Sequence, residues 1–192
     1  MANRFSASDR ATKKQARPVR HFFVALVLVL GAGFLVPDAP VIPVSGATSR
    51  DWNPKSFWFE PWGVSGVHKG IDIFAPLEKD VLSATQGILI YRGKLRLGGD
   101  VVAVLGPKWR IHYYAHLSES SNLQVPLLIA RGARIGQVGT TGNAAGKAPH
   151  LHYAIVSIFP LPWRYNGAFS PDMTIGAPAR IEDHPLIMGE HV

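Results

Sequence analysis

Cysteine is absent from all 192 residues of the chain. Its absence removes a thiol nucleophile, a cysteine-type zinc site and a lipoprotein anchor, and any stability the protein has outside the cytosol comes without disulfides. From about residue 51 to residue 158 no amphipathic helical window of convincing length occurs, nor any internal repeat, so strands are the expected building material. The chain also lacks a His-Glu-x-x-His run, which excludes a helix-borne zinc pair served by its own glutamate. With 192 residues there is room for one domain with a sizeable core plus an appendage.

A net charge of +7 points toward an anionic partner until its distribution is considered. Residues 1–21 hold Arg4, Arg10, Lys13, Lys14, Arg17 and Arg20 against Asp9 alone, and the remainder is nearly balanced. A nucleic-acid footprint needs basic residues clustered on the folded domain, with a recognition motif beside them, so nucleic acid is not an expected partner. The basic region belongs instead with the apolar segment next to it. Residues 22–36 are wholly apolar or glycine, in the layout of an export signal or a membrane anchor with the positive charge held inside. Fifteen residues fall short of the ~20 that span a bilayer, and no small-x-small cleavage site stands close behind them, so a retained anchor is slightly favoured over a cleaved signal. Either places the domain on the extracytoplasmic side, in the periplasm or beside the cell wall.

Residues 37–50, with Pro37, Pro40, Pro43 and Gly46, read as a linker. The domain is expected over 51–171 and a tail over 172–192. Within the domain, Gly and Pro punctuate runs rich in β-branched and aromatic residues at Val81 to Ala84, Ile88 to Tyr91, Val101 to Leu105, Arg110 to Leu117 and His152 to Ile158. These are strand-length segments between turn signals, so the fold class is mainly β, an antiparallel sheet domain.

Three segments carry the chemistry. In His68-Lys69-Gly70-Ile71-Asp72, alternation with Ile71 and Ile73 argues for a strand entry rather than a helical pair. A straight strand would hold the two α-carbons ~13 Å apart, and Gly70 is expected to supply the bend that closes the gap. In His150-Leu151-His152 the two imidazoles project from one strand face ~7 Å apart, after a glycine-rich stretch, Gly139 to Pro149, expected to be flexible. Between these lies Tyr113-Tyr114-Ala115-His116-Leu117, where strand periodicity puts Tyr114 and His116 on a common face. Taken singly, each motif also fits a structural histidine. Together they supply the imidazoles and carboxylate that a three-ligand zinc site with its own acid/base groups requires.

The ordered set of HxxxD, Tyr-Ala-His-Leu, Gly-x-Thr-Gly and HxH resembles the lysostaphin or LytM type of zinc endopeptidase, which cleaves peptidoglycan cross-bridges. The likeness covers roughly residues 62 to 157, including the glycine-rich pattern from Arg131 to Gly139. It implies that His68, Asp72 and His152 bind one Zn²⁺, that His116 and His150 act in catalysis, and that the site lies at the floor of a groove taking peptidoglycan peptides. Many relatives carry a tyrosine a few residues before the first zinc ligand; Trp62 to Ser65 stand there here, and Tyr114 is an alternative source of a hydroxyl, set against a packing role. His112 either lines the groove or is solvent-exposed, the latter being the safer expectation. Trp52, Trp58, Trp62 and Trp109 are expected in the core or at the groove rim, and the segment Phe159 to Gly167 as an extended loop near the site. The rival reading is a non-catalytic peptidoglycan-binding module or an activator of another hydrolase; relatives of that kind typically lack one or more of the five residues, and all five are present.

Overall fold

The computed structural model describes residues 8–57, 59–62, 67–120 and 124–158. The expectations for Trp58, for Gly63 to Ser65, for the proline-rich segment 159–167 and for the tail 172–192 fall outside the described residues. The chain divides into two compact units, one up to Pro37 and one from Asp38 onward.

In the first unit the described part of the basic region and all but the last residue of the apolar run share one helix, α1 (Ser8–Leu35). Phe22, Phe23, Val27, Leu28 and Leu35 are all exposed, so the helix is apolar on more than one face. Among the described residues no helix is long and apolar enough to cross a membrane. Length accounts for this: fifteen apolar residues at the helical rise extend ~22 Å, against ~30 Å of hydrocarbon.

The second unit is an antiparallel sheet of eight strands: β1 (Ile71–Phe74), β2 (Asp80–Leu82), β3 (Gly87–Leu95), β4 (Gly99–Gly106), β5 (Arg110–Ser120), β6 (Leu127–Ile129), β7 (Arg134–Val138) and β8 (His150–Ser157). The main path runs β1-β8-β5-β4-β3-β6, while β7 pairs with both β2 and the far end of β5. The five runs expected from β-branched and aromatic content all form strands. β6 and β7 were not expected, being short segments amid glycine and charge.

One face of the sheet carries the core. Ile71 and Ile73 of β1, Leu151, Tyr153 and Ile155 of β8, and Val102 and Val104 of β4 are all buried in a single apolar cluster. Burying each such side chain favours folding by about 1.5–3 kcal/mol. By the two-residue period, the alternate residues of β1 and β8, Asp72, Phe74, His150 and His152, take the opposite face. The polar set therefore emerges from the same patterning that builds the core.

Residues 38–50, expected as a linker, pack against the sheet. Val44 is buried and forms an isolated bridge to Val81, and the Val41 amide donates to the Ala84 carbonyl. Arg110 donates to Asp38 Oδ2 at 2.8 Å, and the Asp38 side chain has no exposed surface. Removing one partner of a buried ion pair leaves an uncompensated charge, which costs about 3–5 kcal/mol. Asp38→Ala is therefore expected to lower unfolding free energy by about that amount in urea titration, whereas Asp51→Ala, at an exposed turn cap, costs about 0.5–2 kcal/mol.

Candidate functional site

Register builds the site. In the β1–β8 pair Asp72 stands directly opposite His152, and in the β5–β8 pair His152 stands opposite Ala115. His152 thus sits on a central strand with Asp72 on one flank and the His116 segment on the other. His68 precedes β1, and its Nδ1–H donates to the Ser56 carbonyl at 2.8 Å, which turns Nε2 toward Asp72.

Three donor atoms converge. His68 Nε2 lies 3.0 Å and His152 Nδ1 2.8 Å from the same Asp72 oxygen, and the two nitrogens are 3.1 Å apart. With its Nδ1 proton committed to Ser56, neutral His68 offers this point only a lone pair, as the carboxylate does. Converging lone pairs call for a cation. The separations approach the ~3.3 Å edge of a tetrahedron built on Zn–N and Zn–O bonds of ~2.0–2.1 Å, so the donor set fits zinc and leaves a fourth position free. Burial on its own would raise the Asp72 carboxyl; the neighbouring imidazoles of His152 and His68 outweigh it and hold the group well below the usual carboxylate range.

Gly70 lies at a bend just before β1, as expected, and His68 and Asp72 meet at 3.0 Å. Space requires glycine as well, since a side chain there would meet the Tyr153 carbonyl at 2.6 Å and the His152 ring at 2.9 Å.

His116 corrects the strand reading of its own segment. Val102 pairs with Tyr114 and Asp100 with Leu117, so Ala115 and His116 together oppose a single residue of β4. This is a β-bulge, and His116 sits in it at φ 64°, a left-handed backbone rarely adopted by a non-glycine residue. Tyr114 and Leu117 remain in the core while Ala115 and His116 both line the groove. Tyr114 and His116 consequently do not share a face. The Tyr114 hydroxyl accepts from the Ala84 amide at 2.8 Å inside the core, which confirms packing and removes it from the site. His112, expected to be exposed, is fully buried and hydrogen-bonded to the Tyr153 hydroxyl at 2.6 Å, because it precedes the bulge and keeps the core face.

The glycine-rich stretch is pinned rather than flexible. The Asn143 amide donates to the Leu97 carbonyl, the Asp100 amide to Thr141 Oγ1, and Thr141 Oγ1 to the Leu117 carbonyl. So fixed, the Thr141 carbonyl accepts Nδ1–H of His116 at 2.9 Å, and the Ala148 carbonyl accepts Nδ1–H of His150 at 2.7 Å. Both rings keep Nε2 for the groove. The His150 Nε2 is 3.8 Å from the second oxygen of Asp72, and the His116 and His150 rings meet edge-on with centroids 5.1 Å apart. Burial first, and then the charge of His152 and His150, lowers the His116 pKa to about 4.

All five residues picked out in sequence thus border one open groove of about 650 Å³, a size suited to a ligand segment. Trp62 stacks on His68 with centroids 4.2 Å apart, so the position without a hydroxyl braces one of the three converging donors instead. Tyr113, to which sequence assigned nothing, also lines the groove beside His152. Its signal was available only through the bulge, since regular alternation directs attention to Tyr114.

Residues 66–160 match the model of a family described as Peptidase family M23. Over 87 residues the chain is 36% identical to the DD-carboxypeptidase/endopeptidase Mpg of Neisseria meningitidis serogroup B, a match covering 45% of this chain and 19% of that protein. The chain therefore spans about a fifth of the length of the curated relatives it matches. Among solved structures, one from Ruminococcus gnavus described as a glycyl-glycine endopeptidase lytM aligns with a TM-score of 0.55 at 23% identity, covering 81% of this chain and 68% of that one. A mutant catalytic domain of the prophage-encoded M23 protein EnpA from Enterococcus faecalis aligns with a TM-score of 0.51 at 20% identity, covering 70% of this chain and 98% of that one. At these identities the likeness is one of fold.

The donor geometry predicts one zinc per chain by elemental analysis of the purified protein. Asp72→Ala is expected to abolish it, and Gly70→Ala, by displacing the His152 ring, to lower zinc affinity at least tenfold in a chelator competition.

Proposed function

With residues 66–160 forming a domain of peptidase family M23, we propose that the protein is a zinc-dependent endopeptidase that hydrolyses peptide bonds in the stem peptides or cross-bridges of peptidoglycan. His68, Asp72 and His152 hold the metal, and His116 and His150 are the catalytic pair. The observation that carries this reading is the fixed tautomer of two non-ligand histidines beside a three-donor cluster, each with Nδ1–H on a backbone carbonyl. A site whose only task is structural has no use for two such rings, and structural zinc sites close with four protein ligands.

Zinc bound there supplies Lewis acidity toward the scissile carbonyl and lowers the pKa of water. The proton traffic belongs to the chain's own residues. One of His116 and His150 accepts a proton from the attacking water through Nε2 and returns it to the leaving amine; the other, protonated, donates through Nε2 to the oxyanion. The bulge and the Thr141 carbonyl hold His116 in place for this, and the start of β8 holds His150.

The helix α1 supports an extracytoplasmic location. Its basic start and its short apolar run suit an export signal, and a peptidoglycan hydrolase works outside the cytoplasm.

The test is release of peptides from isolated peptidoglycan by the full chain, followed by mass spectrometry. His116→Ala is expected to keep its zinc and to lose cleavage by about 10²–10⁴-fold, the usual contribution of a positioned acid or base. Cleavage at the wild-type rate by that variant would overturn the role given to His116, and absence of cleavage by the wild-type chain would return the protein to a binding role.

A further inference from the structure

Four of the chain's tyrosines lie among the described residues, and three of them have a hydroxyl partner in the protein. Tyr114 accepts from the Ala84 amide, Tyr153 pairs with His112, and Tyr91 reaches the Lys94 carbonyl at 3.5 Å. The fourth is Tyr113, and among the described residues nothing hydrogen-bonds its hydroxyl. Half-buried and in the wall of the groove, it lies on the same face of the sheet as the metal cluster, its ring edge-on to His152 with centroids 6.4 Å apart.

A hydroxyl partly withdrawn from water without a partner carries a desolvation cost that a ligand's hydrogen bond relieves. Its surroundings are arranged to keep it there. Gly98 lies against it, so a methyl at position 98 would collide with the hydroxyl and would also crowd Val101. The Gly98 backbone is outside the left-handed region, so glycine is not required by conformation; it is required by space. The same Gly98 accepts the His116 amide at 2.8 Å, which ties the wall holding the phenol to the bulge holding the imidazole. A phenol is protonated at neutral pH and so can donate, and the carbonyls that an extended peptide presents along such a groove are acceptors for it.

We propose that Tyr113 is a substrate-binding residue whose hydroxyl donates to a backbone carbonyl of the peptide held in the groove, with Gly98 keeping the place clear. The inference rests on the peptidase reading and specifies one contact of that site with its substrate.

Binding is measured by calorimetry in the His116→Ala background, with a cross-linked peptide dimer isolated from peptidoglycan as the probe. Adding Tyr113→Phe, which removes only the hydroxyl, is expected to weaken binding about 3–10-fold, the worth of one neutral hydrogen bond, with zinc content unchanged. Adding Gly98→Ala displaces the hydroxyl and is expected to weaken binding similarly, and the two changes together do no more than either. Equal affinity with and without the hydroxyl overturns the proposal, as does full additivity of the two substitutions. These outcomes are separable from failure of the peptidase reading, which shows as a wild-type chain that binds the dimer and never cleaves it.

Discussion

The register of β8 between β1 and β5 is the constraint on which the rest depends. It sets His152 opposite Asp72 on one side and opposite Ala115 on the other, and it sets His150 opposite Phe74. Because the side-chain period is two, a slip of one residue would turn His150 and His152 into the core and bring Leu151 and Tyr153 into the groove. Core and site therefore stand or fall together. The apolar contacts of Ile71, Ile73, Leu151, Tyr153 and Ile155 hold the register, and Asp72 and His152 inherit their positions from it.

Against this regular background one residue is out of phase. His116 reaches the groove only because the β-bulge interrupts alternation, in a backbone conformation that costs about 1–3 kcal/mol for a residue with a Cβ. Its amide bond to Gly98 and its ring bond to Thr141 oppose that cost, and Thr141 is itself tied to Leu117 and Asp100. A local irregularity is thus supported by two loops and a strand. Gly99 and Gly142, both at positive φ, sit against each other where those loops meet, and a side chain on either would strike the other's backbone.

Much of this was legible in the sequence, and the limits have physical causes. The strands rich in Val, Ile, Leu and Tyr announce themselves because burial on one face enforces period two. β6 and β7 do not: three residues at Leu127 to Ile129, and the mixed Arg134 to Val138, owe their strand geometry to neighbours already in the sheet. The five polar site residues stand out by type and order alone. Their directions do not, since a bulge is invisible in residue pattern, and it misdirected the reading of Tyr114, His112 and Tyr113 alike. Asp38 was hidden for a similar reason. Amid prolines it resembles a linker residue, and only the fold brings Arg110 beside it.

The clasp between Asp38 and Arg110 also has a mechanical meaning. Tension applied along the chain from Pro37 enters the sheet domain at Asp38, and is met there by the ion pair, by the Val41 amide bond to Ala84 and by the bridge from Val44 to Val81. Arg110 opens β5, six residues before His116, so ~20 Å of strand separates the point of attachment from the bulge. The ion pair passes that force to the start of β5, the strand that carries His116, while the other two attachments pass it to Ala84 and Val81. Load entering at Asp38 is therefore divided between two parts of the sheet before it can reach the bulge.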